Sequence, residues 1–208
     1  MPSRNVIKNY LDNSYYHIYN RGVEKRHIFL CQQDYVFFLS ILKRLLTPQT
    51  EEDEMKSCFF EEIKLLVYCL MPNHFHLLIW QNQARSISQF MKILSDTYVN
   101  YFNQKYARVG SLCQGVYKAA LIESDEQLLH TSRYIHTNPR HIGINPLYYP
   151  YSSLMNYTGE RKQKWLDTKI ILDYFDYKKR QTSLPTLYES FLRQKYHRSE
   201  ILKSVKID

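Results

Sequence analysis

The sequence predicts an α+β fold: a β-α-β-β-α-β unit followed by a further helix. Three observations carry this reading. Four short stretches are β-prone or alternate apolar and polar residues, and three longer ones repeat apolar residues at helical spacing. These stretches interleave in the order of a ferredoxin-like split βαβ sandwich.

In chain order, Tyr15–Tyr19 is β-prone and ends at the turn signal Asn20-Arg21-Gly22. Asp34–Leu46 sets Tyr35, Phe38, Leu39, Leu42, Leu45 and Leu46 at helical spacing, with Asp34 as the expected N-cap. Ile63–Cys69 and His74–Trp80 read as two strands joined by Met71-Pro72-Asn73. Ser86–Tyr106 is a long amphipathic helix whose broad face holds Ile87, Phe90, Met91, Leu94, Tyr98, Tyr101 and Phe102. Tyr117–Ile122 is the fourth strand. Ser124 and Gln127, three apart, form a capping box that opens the added helix, and Pro139 stops it. Residues 159–208 predict one or two more helices meeting at Ser183–Pro185. The chain therefore divides into a domain over 1–158 and a basic helical extension over 159–208.

Composition narrows the function. The 208 residues include 28 Lys and Arg, 20 Asp and Glu, 19 Tyr, but only 5 Gly and 7 Pro. Disordered and collagen-like chains are excluded. A net charge of +8 with abundant aromatics suits a polyanion that also has π-faces, such as single-stranded nucleic acid. The charge is uneven: residues 159–208 carry 12 Lys and Arg against 7 Asp and Glu. Glu51–Glu62 is an acidic island, and Thr47–Ser57 reads as an exposed loop facing away from any polyanion. No stretch approaches the roughly 18–20 apolar residues of a membrane span, and no signal peptide is visible. Cys31, Cys58, Cys69 and Cys113 are scattered without CxxC spacing, which fits reduced thiols and a cytoplasmic protein.

His74-Phe75-His76-Leu77-Leu78-Ile79-Trp80 is the most informative stretch. Alternation puts Phe75, Leu77 and Ile79 on an apolar face and both histidines on the other, with Cβ atoms roughly 7 Å apart. Two imidazoles at that spacing can converge on one metal ion. They can equally be two polar residues at a strand end. Leu78 and Trp80 share their face, so something must cover part of it. In the helix after Ser124, Gln127, Thr131, Tyr134 and Asn138 make one polar stripe beside Leu128 and Ile135. Laid over the open sheet face, that stripe could supply a nucleophile, Tyr134, and a third ligand, Asn138. Tyr134 can equally be a packing tyrosine.

Tyr68-Cys69-Leu70-Met71-Pro72-Asn73-His74-Phe75-His76-Leu77-Leu78-Ile79 resembles the HUH strand of the single-tyrosine transposases. Arg133-Tyr134-Ile135-His136-Thr137-Asn138-Pro139-Arg140 resembles the tyrosine helix of their REP-associated branch. Tyr16-His17-Ile18-Tyr19-Asn20-Arg21-Gly22 and Tyr149-Pro150-Tyr151-Ser152-Ser153 support the likeness, with Trp165-Leu166-Asp167-Thr168 a weaker echo. The resemblance implies an enzyme that cuts and rejoins single-stranded DNA at imperfect hairpins through a 5′-phosphotyrosine. It implies a divalent metal, magnesium or manganese, on His74 and His76, with Tyr134 as nucleophile. Asn138 takes the place of a third ligand, with His136 and His141 nearby; His136 lies about 200° around the helix from Tyr134 and should point away. Arg21, Lys25, Arg26, Lys118, Arg133, Arg140 and the run Lys178-Lys179-Arg180 are the candidate DNA contacts. Such proteins occur as monomers and as homodimers. Two other readings compete: a non-catalytic or domesticated single-stranded nucleic-acid-binding protein on the same fold, and a metallohydrolase built on HxH.

Overall fold

The structure is a computed structural model and describes residues 8–48, 58–178 and 183–194. The acidic residues 51–54 and most of the basic run 178–180 lie outside the described residues.

The order is β1 (Ser14–Arg21), α1 (Gln32–Leu45), β2 (Ile63–Met71), β3 (His74–Gln81), α2 (Ser86–Lys105), β4 (Lys118–Ile122) and α3 (Asp125–Thr137). The strands form an antiparallel sheet in the order β2-β3-β1-β4. β1 and β2 therefore run parallel with β3 between them, the split βαβ arrangement that the element order predicts. Phe75, Leu77 and Ile79 of β3 are buried, as are Phe38, Ile41 and Leu42 of α1 and Phe90, Leu94 and Tyr98 of α2. Phe38 joins these layers, its ring 5.3 Å from Phe75 and 5.0 Å from Tyr98.

One helix start differs from expectation. α1 begins at Gln32 with Cys31 as its N-cap, and Asp34 sits at the third helical position. Its carboxylate turns back to accept the backbone N–H groups of Leu30 and Cys31 at 2.8 and 3.1 Å. The same carboxylate takes the Lys105 ammonium at 2.7 Å and the Tyr106 hydroxyl at 2.8 Å, so it ties α1 to the end of α2. From the third helical position Asp34 closes a capping box on the Cys31 N–H while it also reaches the end of α2. Ser124 does cap α3, accepting from Gln127 N, but the Gln127 side chain accepts the N–H of Glu123 rather than closing the box on Ser124.

The loop after β1 depends on Gly22, where a Cβ would collide with the Arg26 carbonyl oxygen. Glu24 and Lys25 follow with left-handed φ of 54° and 61°, strained for residues with side chains. The Asn73 amide bonds to Lys25 O and Gly22 N bonds to Asn73 O, which holds this loop against the β2–β3 turn.

α3 covers the second face of the sheet, over β2 and β3. Beyond it, Tyr149–Ser153 runs along the free edge of β2: Leu70 N bonds to Tyr151 O, and Ser153 N bonds to Tyr68 O. Two short helices follow, α4 (Leu154–Tyr157) and α5 (Lys169–Leu172), and then α6 (Leu184–Arg193), capped by Ser183 with Pro185 in its first turn. Leu166, Ile171, Tyr188 and Leu192 from this part of the chain join the same apolar core as the sheet. All four cysteines are free. Among the described residues no helix is long and apolar enough to cross a membrane.

A buried polar knot fixes α3 in place. His136 has Nε2 2.7 Å from Ser153 Oγ and Nδ1 2.7 Å from the Tyr188 hydroxyl. Ser153 Oγ accepts from Tyr68 N at 2.9 Å, and the Tyr188 hydroxyl reaches Ser132 Oγ at 3.0 Å. Tyr188→Phe removes one hydroxyl from a fully buried site and leaves its partner His136 Nδ1 unpaired. It should cost about 1–3 kcal/mol, read as a lower urea midpoint with unchanged slope. An unchanged midpoint would show that the knot is not under tension from this residue.

Candidate active site

β3 alternation places His74 and His76 on the face that α3 covers. The cross-strand register adds neighbours to that face: Tyr19 lies opposite His76, and Arg21 lies opposite His74. Lys118 pairs with Tyr19 from the other side. His76 is fully buried and His74 mostly so, which fits the expectation that the face must be covered. The covering element is α3. Its residues Gln127, Thr131 and Asn138 are buried, and Tyr134 is half-buried.

The Tyr134 ring stands edge-on over the histidines, 5.4 Å from the His76 ring and 6.0 Å from that of His17. Asn138 follows one turn later, where Pro139 converts the helix into a 3-10 turn. Its Oδ1 is 3.1 Å from His74 Nε2. Tyr134, His74, His76 and Asn138, separated by up to 64 residues, therefore meet at one place.

Burial pushes His74 down to about 4, partly opposed by the Asn138 contact and assisted by Arg21 and His141. Burial, with His17 and His74 alongside, holds His76 well below the usual imidazole range. Both rings are thus neutral near pH 7, the form that ligates metals. His74 Nδ1 is 2.6 Å from Asn73 Oδ1. A neutral imidazole has one proton; placed on Nδ1 toward Asn73, it leaves the Nε2 lone pair facing the Asn138 carbonyl oxygen. These two atoms, 3.1 Å apart, are neutral donors of a kind that could hold a cation. His76 Nε2 and Asn138 Nδ2 are buried without a hydrogen-bond partner, so the pocket has unused polar capacity. Among the described residues no group of three or more His, Cys, Asp or Glu could hold a metal ion.

The candidate DNA contacts separate into two groups. Arg21 and Lys118 lie on the histidine face, with Lys118 Nζ 5.7 Å from the Tyr19 ring centre. Lys25 is exposed on the loop beside the β2–β3 turn, and Arg26 is half-buried there with an ion pair to Glu24. Arg140 is exposed just past Asn138. Arg133 lies apart from both groups. It is only 7% exposed, and its guanidinium lies 3.7 Å from the Phe191 ring centre, because its helical position turns it toward α6 and away from solvent. His136 points away from Tyr134, as its angular position requires, and His141 is exposed. His17 was missed. It is fully buried, and its Nε2 sits 2.8 Å from His76 Nδ1. Its signals in the sequence are its place in the segment Tyr16–Gly22 and the alternation of His17 and Tyr19 on β1, as of His74 and His76 on β3.

A family model described as IS200-like transposase matches residues 10–138. The chain belongs to this family. The matched span starts before β1 and ends at Asn138, so it takes in each of the four convergent residues. DNA transposition is thus the transposase's class of activity, and DNA its class of partner. A solved structure of a REP-associated tyrosine transposase bound to a REP hairpin aligns with a TM-score of 0.55 at 11% identity, over 78% of this chain and 93% of that one. This likeness shows a shared fold. A putative transposase from Deinococcus radiodurans R1 aligns with a TM-score of 0.38 at 18% identity, over 66% of this chain and 97% of that one. No curated protein matches the sequence.

The buried histidines make the transposase's stability depend on pH. Burial holds His136 at about 3 in the folded chain and His74 at about 4, against 6.5 for an exposed histidine. Below 6.5 the unfolded chain binds protons that the folded chain refuses. Stability is therefore complete above pH 6.5 and declines as the pH falls toward 4. Urea midpoints measured across pH 4–8 should follow this curve, and a His74→Ala/His76→Ala variant should show a shallower decline.

Proposed function

We propose that the protein cleaves and rejoins single-stranded DNA at imperfect hairpins through a 5′-phosphotyrosine on Tyr134, with a magnesium or manganese ion held by His74, His76 and Asn138. The observation that carries this reading is the meeting of a half-buried tyrosine with two neutral imidazoles and an amide oxygen on one covered sheet face.

Tyrosine has an ordinary pKa near 10, so its nucleophilic form is scarce at neutral pH without help. When bound, the cation supplies charge: two imidazoles and an amide bring none of their own, which leaves its double charge to polarise a phosphate and favour phenolate. Tyr134 supplies the nucleophile, positioned by α3 rather than by a loop. Its Oη forms a bond to phosphorus while the bond from phosphorus to the DNA 3′-oxygen breaks. The phenolic proton is released, and the departing 3′-oxygen ends as a hydroxyl. The phosphodiester's energy is kept in the tyrosine ester, so a 3′-hydroxyl can reverse the step and rejoin DNA without ATP. Arg21 and Lys118 on the same face, with Lys25, Arg26 and Arg140 at its edge, bind phosphates and hold the strand in register.

Incubation with single-stranded hairpin DNA and manganese should give a covalent adduct on a denaturing gel. Tyr134→Phe should lose the adduct while keeping hairpin affinity within a few-fold, and an adduct persisting in that variant would sink the assignment. His74→Ala/His76→Ala should lose metal-dependent cleavage. The cationic residues are tested by the salt dependence of binding: Arg21→Ala and Lys118→Ala should each reduce the slope by about one unit. Arg133→Ala should leave that slope unchanged and instead lower stability through its lost packing on Phe191.

A further inference from the structure

His17 comes from β1, lies among Tyr19, His76 and Tyr134, and touches none of the three ligand atoms named above. Its ring lies nearly coplanar with that of His76, edge to edge, with centres 5.0 Å apart and planes 16° apart, and it stacks on Tyr19 at 4.9 Å and 28°. Its Nε2 is 2.8 Å from His76 Nδ1 in a site with no solvent exposure at either residue. One proton must lie between these two nitrogens, and where it sits decides what His76 can do. If His17 donates, His76 carries its own proton on Nε2, buried without an acceptor and unable to ligate. If His76 donates from Nδ1, its Nε2 keeps a lone pair, and this is the atom that lacks any hydrogen-bond partner. The two arrangements differ in which buried atom keeps the second proton, His76 Nε2 or His17 Nδ1, and a bare His76 Nε2 is what a cation needs.

We infer that His17 is a positioning residue: it accepts the Nδ1–H of His76 and so holds His76 in the tautomer whose Nε2 is open to a divalent cation. The inference rests on the reading of His76 as a ligand. The ring geometry assists, because two nearly coplanar rings joined by a hydrogen bond fix the His76 ring plane as well as its proton. His74 is held in the same sense by a different partner, Asn73 Oδ1. Each ligand ring then carries its proton on Nδ1 and presents Nε2.

The test begins with the metal-free, full-length wild-type protein labelled with 15N-histidine. Long-range 15N–1H correlation should show His76 with a protonated Nδ1 and a bare Nε2; a proton on Nε2 overturns the inference. His17→Gln keeps an acceptor oxygen at similar reach, so it should keep the tautomer and a manganese affinity within about threefold of wild type. His17→Phe keeps the stacking and packing but not the acceptor. It should shift His76 toward Nε2–H and weaken manganese binding about 10–100-fold, read by electron paramagnetic resonance of free Mn2+. Wild-type tautomer and affinity in His17→Phe also overturn the inference. A wild-type protein that binds no manganese, yet shows the expected His76 tautomer, refutes the ligand reading and leaves the positioning role standing.

Discussion

The hydrogen-bond knot around His136 is the constraint on which the rest of the site depends. α3 supplies Tyr134 and Asn138, but nothing in a helix of this length specifies where on a sheet it must lie. His136 and Ser132, on the side of the helix away from Tyr134, solve this by bonding to Ser153 and Tyr188. Ser153 is in turn bound to the backbone of β2 at Tyr68. Each partner is buried and polar, so any displacement of α3 leaves groups unpaired at a cost comparable to a sizeable fraction of net stability. The helix is therefore located by what it would lose on moving.

That placement joins two elements with different kinds of precision. The β3 side is fixed by pairing with strands on both edges, and a slip of one residue would turn both histidines to the opposite face. The α3 side is fixed by the knot. The two meet at the Asn138–His74 contact and at the edge of the Tyr134 ring. Residues after 158 contribute Tyr188 to the knot and Leu166 and Ile171 to the core, so this part of the chain supports the position of α3. The tyrosines divide accordingly: Tyr157 and Tyr188 stack on each other in the interior, Tyr98 serves the α1–α2 layer, Tyr19 lies beside His76 within the sheet, and Tyr134 projects over the histidines from α3.

Much of this was legible in the sequence because it follows from period alone. Alternation in His74–Trp80 assigns the histidine face, and the i, i+4, i+7 and i+11 stripe assigns Tyr134 and Asn138 to one side of α3. What sequence leaves open is contact between distant elements. His17 alternates with Tyr19 in plain view, but only the folded side chains show that its ring reaches diagonally across the β1–β3 pair to His76. Arg133 reads as a cation for phosphate until α6 places Phe191 beneath it. Asp34 reads as a cap because capping is local, whereas its partners Lys105 and Tyr106 lie some seventy residues on. The motif Tyr149–Ser153 is visible as a string, yet its work on the edge of β2 depends on a pairing that no local pattern reports.

The central claim is that one tyrosine, set by α3 over the histidine strand, takes up the DNA phosphate. Mass spectrometry of the peptides left after nuclease digestion of the protein–DNA adduct measures this directly, because it identifies the modified side chain among 19 tyrosines. The account predicts a single nucleotide-bearing tyrosine, Tyr134. A nucleotide on Tyr19, on any other tyrosine, or on no tyrosine at all would contradict it.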